Sequence, residues 1–550
     1  MAWLVLVVLV GLAWANGLHG EFTYDDKVEV VGNRTIRFLE EWRAMLGYNV
    51  SRPIVITTYA LNHHFSGGEP FAYHLVDVLI QAINAGLAML LILEFGAARG
   101  HARPLRLGVM GAAFWALHPL STEAVTYVTG RSEQLVAMFA LWTCWGWMRW
   151  LRGGSLETWA WCWVGVVAAG MTKENGVVVP VLMLAMEYLV VRKGRLGEVR
   201  WLSYLPGLLF IVLFFAYRHW RYGFFTTDHN LRELPVQLWT QAEVVVRYLQ
   251  LVVLPMGQSV FHDHPETGFS LRSLLSAGLL LGLSIWAWLG RRKQPLVSLA
   301  WVWFLVALAP SSSLVPLKET MAEHRAYMAF LGPCWVLALG VDSLVRPRRI
   351  SVAMALGALL IGLTHVRNNV WASEVTLWKE VVERNPDSAE GWYGYGEAQR
   401  FALARLQAED PRAGSYTPGD AYRRSVELDP DLLDAWNNLG LSEANLGNDE
   451  AAVAAWRQAL LRSPTYCKAH NNMGLLHARR DRFTDAIAEF QAGLLYCPEN
   501  ALGLYFLGKL YDEKLDEADK AVLAWEALLK EHPDFAHSQE VQSRILELTW

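Results

Sequence analysis

Up to about residue 365 the chain alternates apolar runs with short polar loops. Beyond Trp371 it turns charged and Ala-rich, with no run long enough to cross a bilayer. A helix needs about 20 predominantly apolar residues to span the hydrocarbon core. The runs cover residues 2–18, 73–95, 105–118, 134–150, 157–170, 176–191, 201–217, 271–290, 296–310, 326–345 and 350–365. They predict about 11 spans, counted from a cytoplasmic N-terminus. Residues 2–18 lie too close to the start to carry the charged head of a secretory signal, so they read as a retained helix. Glu243 and Arg247 interrupt the segment 236–255, which is expected to enter and leave on one side as a surface or re-entrant helix. The expected fold class is all-α, with a polytopic membrane bundle over residues 1–370 and a soluble domain over 371–550.

In the soluble part Pro430, Pro464 and Pro498 stand 34 residues apart, and Leu439-Gly440, Met473-Gly474 and Leu507-Gly508 recur at the same interval. That is the tetratricopeptide period, in which each unit is a helical hairpin burying its apolar face against its neighbours. Trp456, Phe490 and Trp525 supply the aromatic that packs between helices, and the small Ala452 and Ala486 mark their close approach. Trp392 and Gly396 open an earlier unit stretched by an insertion around Gln407 to Gly419, and residues 536–550 are expected to cap the array. Asn437, Asn438, Asn471 and Asn472 fall on the helices expected to line a concave groove. There they either clamp the backbone amides of an acceptor peptide or serve as ordinary surface residues. Cys467 and Cys497 stand at the two ends of one hairpin, which antiparallel packing brings together, so an oxidising side would permit a disulfide.

Sidedness follows from basic residues in short loops. Arg99, Arg103 and Arg106, then Arg149 and Arg152, then Arg192, Lys193, Arg195 and Arg200, then Arg291 to Lys293, and finally Arg346, Arg348 and Arg349 recur at every second connection. These loops are expected in the cytoplasm, which puts the soluble domain on the opposite, extracytoplasmic side. The outer connections then hold mixed charges: Asp25 and Asp26, His118 with Glu123, Arg131 and Glu133, Lys173-Glu174, His262-Asp263, and Lys318 to Arg325. Polar loops need no special account, but an ion pair in a connection as short as Lys173-Glu174 is not required by solvation alone. In the first outer loop, residues 38–46 are amphipathic at helical spacing and Arg52-Pro53 opens a second, partly buried helix.

Composition excludes some classes. A net charge of −5 with acids and bases interspersed leaves no basic face for a nucleic acid. The 5 cysteines form no CxxC or His/Cys cluster, so no metal site is expected, and a need for a divalent cation stays open.

The stretch with most chemical content is Glu21-Phe22-Thr23-Tyr24-Asp25-Asp26, which follows the first apolar run where a membrane protein meets water. One carboxylate there can take a proton from an incoming hydroxyl while cations from later loops hold an anionic leaving group. The bland reading is a solvated loop start. Taken with Phe71-Ala72-Tyr73-His74-Leu75-Val76-Asp77-Val78, His118-Pro119-Leu120-Ser121-Thr122-Glu123-Ala124-Val125, Gly130-Arg131, Lys173-Glu174 and Glu323-His324-Arg325-Ala326-Tyr327, the stretch resembles the transmembrane and tetratricopeptide-repeat glycosyltransferases, O-mannosyltransferase-like members of the GT-C fold. That resemblance runs nearly the whole length. It implies inverting transfer of a mannose-like sugar from a polyprenyl-phosphate carrier to Ser or Thr of a protein on the outer or luminal side. It also implies that one of Asp25 and Asp26 is the base and the other a positioning group, and that Arg131, Lys173 and Arg325 bind the donor phosphate. Glu174 and Glu323 would orient those cations, with His118, His262 and Asp263 as supporting residues. The array is short beside many members. Alternative readings are a transferase acting on a cell-wall glycan or lipid, and a non-catalytic membrane scaffold recruiting partners through its repeats. The compact loops favour a bacterial inner membrane over the endoplasmic reticulum.

Overall fold

A computed structural model describes residues 1–222, 232–262, 265–312, 316–409 and 417–550. All regular structure among these residues is helical. The chain divides into two compact units, Met1–Glu380 and Val381–Trp550.

In the first unit each apolar run contains a helix: Ala2–Trp14, Pro70–Ala98, Pro104–Ala116, Arg131–Leu151, Leu156–Gly170, Val179–Met186, Leu205–Tyr222, Leu271–Gly290, Pro295–Leu308, Leu331–Asp342 and Arg346–Val370. Several start on proline, whose missing N–H costs nothing in a first turn. Length and apolarity qualify six helices among the described residues to cross a membrane, so the expected eleven are not confirmed. The 13 residues of Pro104–Ala116 reach only about 20 Å at 1.5 Å per residue, short of a hydrocarbon core of about 30 Å. Tryptophan stitches the bundle. The buried indole N–H groups of Trp14, Trp115, Trp303 and Trp335 donate to the carbonyls of Ala116, Tyr327, Met328 and Leu296 at 2.8–3.2 Å. Each ring therefore fills core volume without stranding its one polar atom.

The first outer loop packs around a small core in which its Val30, Ile36, Met45, Ile56 and Tyr59 are buried together with Tyr73 and Val128 from later segments. The expected surface helix opens as a tight turn at Leu39–Glu41 and becomes α-helical over Trp42–Tyr48. Pro53–Ser66 forms the second helix, with its proline in the first turn. Leu234–Val253 is one uninterrupted helix that buries Gln237, Gln241, Glu243 and Tyr248.

The second unit contains four helical hairpins: Ala389–Glu409 with Pro418–Leu428, Leu433–Asn445 with Asp449–Arg462, Cys467–Arg479 with Phe483–Tyr496, and Ala501–Glu513 with Ala518–Glu531. Ser538–Thr549 closes the array, and the insertion expected at 407–419 lies largely outside the described residues. The 34-residue period has a steric cause. A Cβ on Gly440 would lie 2.4 Å from the Trp456 ring, on Gly474 2.9 Å from Phe490, and on Gly508 2.4 Å from Trp525. In each hairpin the aromatic of the second helix thus rests on the bare backbone of the first. Cys467 and Cys497 form a disulfide with Cα atoms 6.4 Å apart.

Candidate active site

The segment 118–133 carries His118 and Arg131 of the expected site, with Glu123 and Glu133, and its side chains reach Asp25, Asp26, Lys173 and His324. It enters from Pro104–Ala116 and turns through short helices at Pro119–Ser121, Thr122–Val125 and Val128–Gly130 before the long helix Arg131–Leu151. The turn is tight enough that a Cβ on Gly130 would meet the Glu123 carbonyl at 2.4 Å. Side chains two to four residues apart along this segment then reach different parts of the fold.

Tyr127 and Thr129 organise the aspartate pair. Asp26 is fully buried and accepts from the Thr129 N–H at 2.7 Å, the Thr129 hydroxyl at 2.6 Å and the Thr23 N–H at 3.2 Å. Burial raises its pKa to about 7 despite these donors. Asp25 is exposed, and its N–H donates to the Tyr127 hydroxyl at 3.2 Å. Tyr24, between Thr23 and the pair, sits at a φ of 52°, which is uncommon for a bulky residue. Adjacent aspartates therefore have opposite surroundings, one gripped by donors and the other open to water. Trp371 stacks on Tyr127 at 5.3 Å, and Lys27 forms an ion pair with Glu374, so the segment after the last long apolar helix braces the same loop.

The cations are arranged differently from the expectation. Arg131 is buried against Asp77, donates to Asn62 Oδ1 at 3.1 Å and to the Tyr73 carbonyl at 3.0 Å, and lies over the Tyr59 ring. Its charge is paired with Asp77 inside the bundle, and its second terminal nitrogen, Nη1, has no hydrogen-bond partner among the described residues. Lys173 pairs with Glu133 at 2.7 Å, not with its neighbour Glu174. Glu174 instead meets Arg52 at 3.1 Å, tying the first outer loop to the third. The extended backbone at Lys173 sends the two successive side chains to these different partners. Arg325 is bound by the carboxylate and carbonyl of Glu319 at 3.1 and 3.0 Å.

Glu323 also departs from its expected role. It accepts from Gln258 and His262 at 2.8 Å and from the Ser259 N–H at 2.7 Å, and so anchors the 258–262 loop, not Arg325. Burial pushes Glu323 up, but the His262 hydrogen bond and the charge of Arg367 outweigh it and hold the carboxyl below its ordinary value. Glu123 takes the N–H and Nδ1 of His324 at 3.0 and 2.6 Å. Burial and the neighbouring Glu323 charge raise Glu123 to about 8, while burial and Lys173 lower His324 to about 3. A neutral imidazole facing a carboxyl that holds its proton near pH 7 suits a buried polar network. His118 is a structural cap: its Nδ1 accepts from the Leu120 N–H and its Nε2 donates to the Val252 carbonyl. Asp263 lies outside the described residues.

Electrostatic neighbours join these groups into one network. Glu29 lies within range of both Asp25 and Arg52, and Glu133 within range of Arg52, Lys173 and His324. Two residues absent from the expected set matter most. Thr129 precedes the Gly130-Arg131 pair, where a hydroxyl near a helix start was a readable signal. Asp77 lies within an apolar run, where a charge calls for a partner.

In the array, Asn437 and Asn471 are buried and bond to other asparagines. Asn472 donates to Asn437 Oδ1 at 2.7 Å, and Asn471 and Asn500 bond reciprocally at 2.9 and 3.1 Å. These amides couple one repeat to the next, and Asn438 likewise donates to Glu397 at 2.7 Å. Asn438 and Asn472 remain half-buried.

Fold and site together define a multi-pass membrane protein with a buried polar network among its loops and a tetratricopeptide-repeat array. In sequence it is O-mannosyl-transferase-like. Human protein O-mannosyl-transferase TMTC4 is 23% identical over 482 residues, covering 72% of this chain and 63% of the human protein. Mouse protein O-mannosyl-transferase TMTC3 is 21% identical over 519 residues, covering 83% and 54%, and mouse TMTC2 is 27% identical over 217 residues, covering 34% and 24%. The chain thus spans less than two thirds of these relatives. No family model matches it. Among solved structures, a thermophilic tetratricopeptide-repeat protein of Thermus thermophilus, TTC0263, aligns at 19% identity and a TM-score of 0.25, covering 36% of this chain and 96% of its own.

Proposed function

We propose that the chain transfers a mannose-like sugar, with inversion, from a polyprenyl-phosphate carrier to Ser or Thr of a protein on the extracytoplasmic side. The observation that carries the reading is the split environment of the aspartate pair. Exposed Asp25 is the base that takes the acceptor hydroxyl's proton as oxygen attacks the anomeric carbon. Buried Asp26, gripped by Thr129 and Thr23, is the positioning group that sets the loop. As the bond from sugar to phosphate breaks, Lys173 and Arg325 compensate the charge left on the carrier. Their partners Glu133 and Glu319 hold both side chains before the donor arrives. Names of the relatives support protein O-mannosylation in general. The basic loops and the Cys467–Cys497 disulfide support an array on the oxidising side of a bacterial inner membrane, where half-buried Asn438 and Asn472 meet the acceptor chain.

The test is transfer of labelled mannose from polyprenyl phosphate to acceptor peptides in membranes, with glycolipids quantified in parallel. Asp25→Asn is expected to abolish glycopeptide while leaving the protein folded. Unchanged glycopeptide in Asp25→Asn, or label lost from glycolipid alone, would overturn the reading.

A further inference from the structure

A groove of about 470 Å³ runs between the helices Leu234–Val253 and Leu271–Gly290. One wall is polar and carries Glu243 and Arg247; the other is apolar, with Leu271, Leu275 and Leu279, and Arg272 adds a second guanidinium. The leucine wall belongs to a helix that is long and apolar enough to cross a membrane and is mostly uncovered by protein.

Among the described residues of the groove the charges do not balance. Arg272 pairs with Glu243 at 3.2 Å. Among the described residues Arg247 contacts only neutral acceptors, the carbonyls of Met256 and Gly257 at 3.1 and 2.9 Å and the Gln250 amide at 3.5 Å. Among the described residues lining the groove, two guanidiniums stand against one carboxylate, which leaves one positive charge beside a strip of leucine. An inorganic anion would satisfy the charge and leave the leucines in water, while a hydrocarbon alone would bury the leucines and strand the charge.

We propose that this groove binds an anionic phospholipid of the surrounding leaflet, its phosphate against Arg247 and Arg272 and the upper part of one acyl chain along Leu271, Leu275 and Leu279. The volume suits a headgroup and the first methylenes, and the open end leaves the rest of the chain in the bilayer. The site reaches the polar network through the chain itself. Arg247 holds the carbonyls of Met256 and Gly257, and the next two residues, Gln258 and Ser259, hold Glu323.

The full chain is purified in detergent, offered phosphatidylglycerol or phosphatidylcholine, and the lipid retained is counted by native mass spectrometry. One phosphatidylglycerol per chain is expected to survive in excess over phosphatidylcholine. Arg247→Gln removes a charge-assisted contact and is expected to lower retention about ten-fold. Leu275→Trp, which leaves every guanidinium contact in place, fills the groove and is expected to lower it similarly at an unchanged melting temperature. Equal retention of the two lipids, or full retention in Leu275→Trp, would overturn the proposal. Displacement by millimolar inorganic phosphate would make this a free-anion site, and stoichiometric displacement by polyprenyl phosphate a carrier site; either result also overturns it.

Discussion

Replacing Thr129 by Val deletes one hydroxyl and almost no volume, which makes it the sharpest probe of the aspartate pair. The hydroxyl donates to Asp26 at 2.6 Å, while the Thr129 and Thr23 N–H groups stay in place. A hydrogen bond to a charged group is worth about 1.5–3 kcal/mol, which at about 1.4 kcal/mol per pKa unit raises Asp26 by a further 1–2 units or so. From about 7 it would move to between about 8 and 9. If transfer needs ionised Asp26, the rate at pH 7 falls about ten-fold and returns to near wild type by about pH 9. Stability moves with a definite sign. A carboxyl whose folded pKa lies above its unfolded value of 3.8 favours the fold fully at acid pH and loses that contribution as pH rises towards about 7. The variant's melting temperature should therefore trail wild type more at pH 8.5 or so than near pH 5. The assay is transfer from labelled polyprenyl-phosphate mannose across this pH range, with Thr129→Ser as the control that keeps the hydroxyl. A Val profile superimposable on wild type refutes the argument, as does a Ser variant impaired as deeply as Val.

Three further outcomes are expected. Lys173→Met should lower transfer about a hundred-fold, as loss of a preorganised cation does, and Glu133→Gln less, both read from steady-state kinetics against donor concentration. Arg131→Met should instead cost about 3–5 kcal/mol of stability by stranding Asp77, with much of that recovered in the double variant Asp77→Leu/Arg131→Met, measured by thermal unfolding. Cys467→Ser should destabilise the array by about 3–4 kcal/mol, the loop-closure value for a separation of 30 residues. Before reduction, alkylation of the full chain should label neither Cys467 nor Cys497.

Much of the site was visible in outline. Asp25, Asp26, Lys173, Arg325 and the acidic residues near them stood out because charges beside apolar runs are few. Their pairing was not visible. Glu174 looked like the partner of Lys173 because it is adjacent, yet Glu133 holds the lysine from 40 positions upstream. The resemblance implies a phosphate ligand at Arg131, and only packing revealed Asp77 behind it. The asparagines at 437 and 471 were read as groove residues, and burial turned them towards neighbouring repeats.

By itself the amino-acid order determined what depends on short-range periodicity: which stretches are apolar and helical, which loops carry basic residues, and where a bare glycine must meet an aromatic every 34 residues. Only tertiary structure decided which of two neighbouring aspartates is buried, which carboxylate holds which cation, and how Glu123 comes to meet His324 from 201 positions away. The physical reason is that hydrophobic pattern acts along the chain, whereas desolvation and charge pairing are set by whichever distant segment closes over a group.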